Sequence, residues 1–209
     1  MSSPRLVGAH AHDNVRQALV DGQVIAAPGH GAYYLAMRAA RDDAVPRLQA
    51  LSPPGSDERG VHFVVGHRHQ AGALASECSE EARRLTERCW PGPLMLLVNH
   101  AGGRGSILVT MATTRALRRL CQETGPWCIA PTSHTTAEAV GDHFTASAVA
   151  LVVEGGACTG PGATVMDCTM SPPRLRREGA LPATFIEAAL LMGARRPWWR
   201  LRSSRPPAE

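Results

Sequence analysis

Apolar residues recur along this chain in two rhythms. Between Asp13 and Asp21, Val15, Ala18 and Leu19 fall on one side of a 3.6-residue turn, which predicts a helix. Val24–Ala27 is a short apolar run with β-branched members, which predicts a buried strand. Helical spacing extends over Tyr33–Arg41 and Ala44–Leu51, and Ser52-Pro53-Pro54-Gly55-Ser56 is a breaker cluster, hence a loop. Val61–Val65 reads as a strand. Ser79 followed by Glu80 and Glu81 places a capping hydroxyl and two acids at the positive end of a helix dipole, which predicts a helix to about Cys89. Leu94–Val98 and Ile107–Thr110 are strands, and Thr113–Thr124 is an amphipathic helix with the stripe Ala116, Leu117, Leu120 and Cys121, stopped by Gly125. Trp127–Ala130, Ala148–Val153, Thr164–Cys168 and Arg174–Arg177 read as further strands, and Pro182–Met192 as a helix. Strands and helices alternate, which predicts an α/β fold: an open twisted mixed sheet with flanking helices.

The 209 residues, 44% of them apolar, suffice for one sizeable core. We expect a single domain over residues 1–193. The Arg- and Pro-rich stretch 194–209 ("ARRPWWRLRSSRPPAE") is expected to be a surface tail. No run reaches the roughly 18–20 apolar residues of a membrane helix, and "MSSPRLVGAHAHD" has no signal-peptide core, so the expected setting is cytoplasmic, with no membrane partner. Six scattered cysteines without a C-x-x-C pair fit reduced, packed thiols. The net charge is +4, and every basic residue is arginine. Without lysine there is no Walker A phosphate loop and no Schiff-base chemistry.

Four segments in order carry a family resemblance. "CWPGPLMLLV" (Cys89–Val98) resembles the W-P-G-P-x-T-x-(V/L) signature of the YrdC-like family, the threonylcarbamoyl-AMP synthases. "VIAAPGHGAYYLA" (Val24–Ala36) stands where that family has P-T-D-T-V-Y-G-L. "PWCIAPTSHTT" (Pro126–Thr136) is similar to its P-x-x-A-P-S-A-N-x-S-G. "LVVEGGACTGPGATVMDCTMSPPRLRREGAL" (Leu151–Leu181) resembles its closing segment. The resemblance covers roughly residues 12–182. It implies a large concave cavity in the sheet, and an activity that joins threonine, bicarbonate and ATP for a tRNA modification. It also implies phosphate contacts from a K-x-R pair and a further arginine, and nucleotide contacts from S-x-N.

The departures are systematic. Ser52-Pro53-Pro54 stands for K-x-R, and Thr110-Met111-Ala112 for V-R-x. Thr132-Ser133-His134 stands for S-A-N, Ala163-Thr164-Val165 for S-T-V, and Pro28-Gly29-His30-Gly31 for P-T-D-T. The late arginine survives as Arg176 or Arg177, because "LRREG" carries one extra residue. A triphosphate bears about four negative charges, and each charge-assisted contact contributes roughly 1.5–3 kcal/mol. Losing three cationic partners therefore removes several such contacts. ATP is expected only if cations elsewhere in the chain compensate.

The resulting expectation is a repurposed enzyme acting on a small polar, carbamoylated or acylated metabolite, without the family's usual ATP chemistry. His30 and His134 are the candidate catalytic pair, expected to face one cavity. Gly29, Gly31, Tyr33, Tyr34, Thr110, Thr132, Ser133, Thr164, Arg176 and Arg177 are candidate substrate contacts, with Tyr34 narrowing the site and Gly29 and Gly31 admitting close backbone approach. The alternatives are a non-catalytic binding or partner module, which would have a protein partner, and a divergent synthase that binds ATP and RNA. RNA would meet the Arg-rich surface of Arg115, Arg118 and Arg119, of Arg174, Arg176 and Arg177, and of the tail with Trp198-Trp199. The Gly-rich Gly155–Gly162 reads either as an anion cradle or as a plain turn. His10/His12 and His67/His69 form H-x-H pairs but lack a third placed ligand, so no metal site is expected.

Overall fold

The computed structural model describes residues 2–8, 11–53, 62–103 and 105–191. The tail with its arginines and Trp198-Trp199, residue His10 and the loop from Pro54 to Ser56 lie outside these. The elements run β1 (Arg5–Val7), α1 (His12–Val20), β2 (Ile25–Pro28), β3 (Tyr33–Arg38), α2 (Ala44–Leu51), β4 (His62–Val65), α3 (Arg68–Leu74), α4 (Glu80–Cys89) and β5 (Leu94–Asn99). They continue with β6 (Ser106–Met111), α5 (Arg115–Thr124), β7 (Trp127–Pro131), α6 (Ala137–His143), β8 (Leu151–Val153), β9 (Thr164–Asp167), β10 (Arg174–Arg177) and α7 (Ala183–Leu191).

The strands form one mixed sheet in the order β1-β8-β2-β3-β7-β4-β6-β5-β9-β10. Strand β8 runs parallel to β1 and β2, β4 parallel to β6, and β5 parallel to β9; the other neighbours are antiparallel. Both faces of the central strands are covered. Leu19 of α1 and Leu117, Leu120 and Cys121 of α5 pack on Ile25, Ala36, Val64, Trp127 and Ile129. On the opposite face Leu48 of α2 and Val140 of α6 pack with Tyr33, Leu35 and Met37. Leu85 of α4 and Ile186 of α7 cover Leu94, Leu96 and Val109 on β5 and β6. No helix among the described residues is long and apolar enough to cross a membrane.

Local chemistry explains where the helices begin. Ser79 accepts from the Ala82 N–H, Thr114 from Leu117 and Thr136 from Ala139, each closing a first turn. Gly125, at φ 87°, ends α5 in a conformation that favours glycine.

One expected element is corrected. Residues 33–38 form strand β3 rather than the helix expected over Tyr33–Arg41. Tyr33, Leu35 and Met37 point to one face and Tyr34 and Ala36 to the other. A strand buried on both faces gives a continuous apolar run, and periodicity alone does not separate that from a buried helix. Gly31, at φ 77°, turns the chain back so that Gly29 N–H donates to Ala32 O at 3.0 Å, and β2 and β3 pair as a hairpin. Three short elements, β1, α3 and α6, had no counterpart in the expectation.

Candidate functional site

The β2–β3 loop, Gly29 to Ala32, closes one end of a small cavity. Its walls are Pro28, Gly29, His30 and Tyr34 on one side and Thr110–Thr113 at the end of β6 on the other; Met95, Trp127 and Ile129 form the floor. The cavity volume is about 50 Å³. The enclosed part is small beside the roughly 300–1,000 Å³ of ordinary ligand sites, and the Tyr34 ring forms one of its walls. A Cβ at Gly29 would lie 2.5 Å from the Tyr34 ring, so only glycine lets that ring lie flat on the loop. The Tyr34 hydroxyl donates to His30 O at 3.4 Å.

His30 is half-buried, and its Nε2 has no hydrogen-bond partner among the described residues. Burial lowers its pKa, and the nearby Gly92 carbonyl of the W-P-G-P loop offsets part of that shift. The ring is therefore neutral at pH 7, with a nitrogen lone pair available as an acceptor. The same loop meets Gly162: a Cβ on Gly31 would lie 3.1 Å from Gly162 N, and a Cβ on Gly162 would lie 3.9 Å from the Arg177 guanidinium. Arg177 Nη2 donates to Ala163 O at 3.3 Å. The β2–β3 loop, Gly162 and Arg177 are thus neighbours, with Gly31, Gly162 and Arg177 outside the cavity lining.

The other candidate residues go elsewhere. His134 does not line the cavity, which corrects the expectation that both histidines face it. Thr132 Oγ1 donates to Tyr33 O at 2.8 Å and accepts from the His134 N–H at 3.1 Å. The His134 ring then lies 4.7 Å from His143 and 6.5 Å from Phe144 at the end of α6. Tyr33 is buried on the α2–α6 face rather than walling the cavity; its hydroxyl donates to Gly156 O and accepts from Gly155 N–H. Those contacts, with Pro28 against Gly155, anchor the start of the Gly-rich segment, most of which is exposed. Ser133 is exposed. Thr110 lines the cavity, yet its hydroxyl donates to Leu94 O at 2.9 Å. Thr164 donates to Leu181 O and accepts from the Gly179 and Leu181 N–H groups, so it is fully engaged in tying β9 to the chain before α7.

Arg176 is also engaged. Its guanidinium donates from Nε and Nη2 to Asp167 Oδ2 at 2.8 and 2.6 Å. Asp167 is buried, which raises its pKa, but hydrogen bonds from Thr169 and Arg176 bring it net below the ordinary carboxylate value. The pairing of β9 with β10 slips between Leu175 and Arg177, so Arg176 is the residue of a bulge. The extra residue in "LRREG" is absorbed there, and Arg177 lies opposite Val165.

His67 and His69 stack at 4.9 Å, with His67 Nδ1 accepting from the His69 N–H. No group of three or more His, Cys, Asp or Glu side chains able to hold a metal occurs among the described residues. On α5, Arg118 binds the Ala112 and Thr113 carbonyls and Arg119 pairs with Glu123. The residues the sequence did not single out are the floor, Met95, Trp127 and Ile129, and the Gly92 carbonyl. Nothing local marks them, because strand register and a loop contact bring them there.

Burial lowers the pKa of His134 as well, helped by its neighbour His143. A ring that binds protons less readily folded than unfolded gives stability that is present above the usual imidazole value of 6.5 and is lost as pH falls below it. The melting temperature is therefore expected to fall between about pH 7 and about pH 5.5. His143→Gln, which removes the like charge beside His134, should flatten that slope in a thermal melt series; an unchanged slope would contradict the assignment.

Residues 17–179 match the family model Sua5_yciO_yrdC, described as telomere recombination. The chain is 28% identical over 186 residues to the threonylcarbamoyl-AMP synthase of Pyrococcus abyssi, covering 81% of this chain and 54% of that protein. It is 28% identical over 191 residues to the one from Bacillus subtilis, covering 82% and 54%. It thus spans about half the length of these relatives. The structure of P. abyssi Sua5 complexed with L-threonine aligns with a TM-score of 0.78 at 26% identity, over 88% of this chain and 60% of that one. E. coli YciO aligns with a TM-score of 0.73 at 17% identity, over 89% and 100%, a likeness of fold.

Proposed function

Given that this chain belongs to the Sua5/YciO/YrdC family, we infer that its concave site has been pared down to take a small polar substrate of amino-acid or carbamate size. His30 accepts a proton or hydrogen bond from the substrate, and Arg177 holds its anionic end. The family's grip on a triphosphate is not part of this reading. The observation that carries it is the His30 Nε2: buried, without a partner, and beside a cavity whose lining has no guanidinium among the described residues. Arg177 takes the role of the family's late arginine, since the bulge spends Arg176 on Asp167.

Calorimetric titration of the full chain tests this. L-threonine, the ligand in the P. abyssi structure, is the first probe. It should bind, with His30→Ala weakening it at least about tenfold, the scale of one or two hydrogen bonds to a buried group. Unchanged affinity in His30→Ala would remove His30 from the site. Tyr34→Ala should widen the cavity and improve binding of larger ligands about tenfold, at some cost in stability from the lost aromatic packing.

The relatives' name favours a second reading, a divergent synthase. It predicts tight magnesium-dependent ATP binding to the unmodified chain. ATP that binds only after Tyr34→Ala would instead identify Tyr34 as the group that closed the nucleotide's space. A non-catalytic module would bind its ligand without turnover.

A further inference from the structure

A second, larger cavity lies on the opposite side of the sheet from His30. It has a volume of about 830 Å³, between α3, α4 and the far face of β5 and β6. Its open apolar surface comes from Ala71, Ala75 and Cys78, because the sheet residues beneath, Leu96, Val98, Val109 and Met111, are only 2–6% exposed. Its rim is cationic. Arg68 donates to the Thr86, Glu87 and Trp90 carbonyls at the end of α4, and Arg118 to the Ala112 and Thr113 carbonyls. Neither has a carboxylate partner among the described residues, so carbonyl dipoles orient both guanidinium groups without neutralising them. Arg68 Nη1 and Arg118 Nε and Nη2 have no partner among the described residues. Arg83, also at the rim, is already held by two carboxylates, Glu87 at 2.6 Å and Glu80. His67 and His69 complete the rim.

We propose that this cavity binds an organic anion with an apolar body, a medium-chain carboxylate, whose chain lies against Ala71, Ala75 and Cys78 and whose head meets Arg68 and Arg118. The volume is within the range of small-molecule sites, roughly 300–1,000 Å³. An apolar chain gains from leaving water, and carboxylate bonds to guanidinium are charge-assisted. A neutral chain of the same length gains only the first term. The site is separate from the His30 cavity and does not depend on the function inferred for it.

Gly72 supplies a clean test. It sits in α3 at the cavity wall, and a Cβ placed on it meets no atom within 4 Å. Gly72→Phe should place a ring at the cavity wall and narrow it without disturbing the helix. Titration of the full chain with decanoate and with decanol is the experiment. Decanoate is expected to bind one to one, at least about tenfold tighter than decanol, and less tightly as salt rises. Gly72→Phe should weaken binding of both several-fold. Arg118→Met should weaken decanoate about tenfold and leave decanol unchanged. Absence of saturable binding, equal affinity for the two probes, or full decanoate affinity in a folded Gly72→Phe variant would overturn the proposal. Should Arg118→Met fail to fold, the decanoate-to-decanol ratio and Gly72→Phe decide between the same outcomes.

Discussion

Arg176→Ala is expected to lower the unfolding free energy by about 2–3 kcal/mol, whereas Arg177→Ala changes it by less than about 0.5 kcal/mol. The two arginines are adjacent and equally basic, and only their partners separate them. Asp167 is 1% exposed. Removing Arg176 leaves a buried carboxylate supported by Thr169 alone, and stranding one member of a buried pair costs about 3–5 kcal/mol. The expected figure is lower because the Arg176 side chain is itself 48% exposed. Arg177 makes one bond to a carbonyl and is exposed, so little stability goes with it. The pH dependence gives a second readout. The depressed Asp167 pKa contributes stability that is present above the unfolded carboxylate value and is lost as pH falls through the folded one. Without Arg176 the folded pKa rises, so acid unfolding should begin at a higher pH. Urea melts at pH 7 and in mild acid check both statements; equal losses for the two variants would contradict the assignment of partners.

Trp127→Ala is expected to be the most damaging single truncation near the site, at about 3–5 kcal/mol. The indole is 2% exposed and packs in the layer between α1, α5 and the sheet. Its Nε1 donates to Thr124 Oγ1 at 2.8 Å, and that hydroxyl in turn donates to Leu120 O at 2.7 Å, so the ring fastens the end of α5 to the start of β7. Alanine would leave a void continuous with the cavity whose floor the indole forms. A urea titration should show a lower midpoint with an unchanged slope. Trp127→Phe, which keeps most of the volume, should recover a large part of the loss. A loss below about 1 kcal/mol for alanine would mean the floor can collapse.

Much of the scaffold was readable from residue order. Ser79-Glu80-Glu81 and the stripe of α5 are local signals, and the helices start and stop where those signals stand. Ala44–Leu51 is observed with the expected bounds. The site was less readable, because it depends on which side of a strand each residue falls. Tyr33 and Tyr34 are neighbours in sequence and lie on opposite faces, one in the core and one in the cavity. His134 follows β7 by three residues, and the bond from its N–H to Thr132 fixes a turn that sends its ring to α6. The choice between Arg176 and Arg177 needed the bulge, a property of the β9–β10 pairing that neither strand reveals alone. The partnerless nitrogen of His30 became visible only once the W-P-G-P loop stood beside it.

The terminal strands of the sheet have a consequence for how the molecule behaves in a crowd. Among the described residues the sheet ends at β1, three residues long, and at β10, four residues long and exposed throughout. An open edge offers free N–H and C=O groups to any passing extended chain, and is a route to fibrous association. Here both edges are short, β1 carries Arg5, β10 carries three arginines, and an irregular pairing twists β10 away from a flat ribbon. Substituting valine for Arg174 would remove one of these guards while leaving the Asp167 pair intact. Light scattering on heating should then rise earlier, at a melting temperature close to that of the parent.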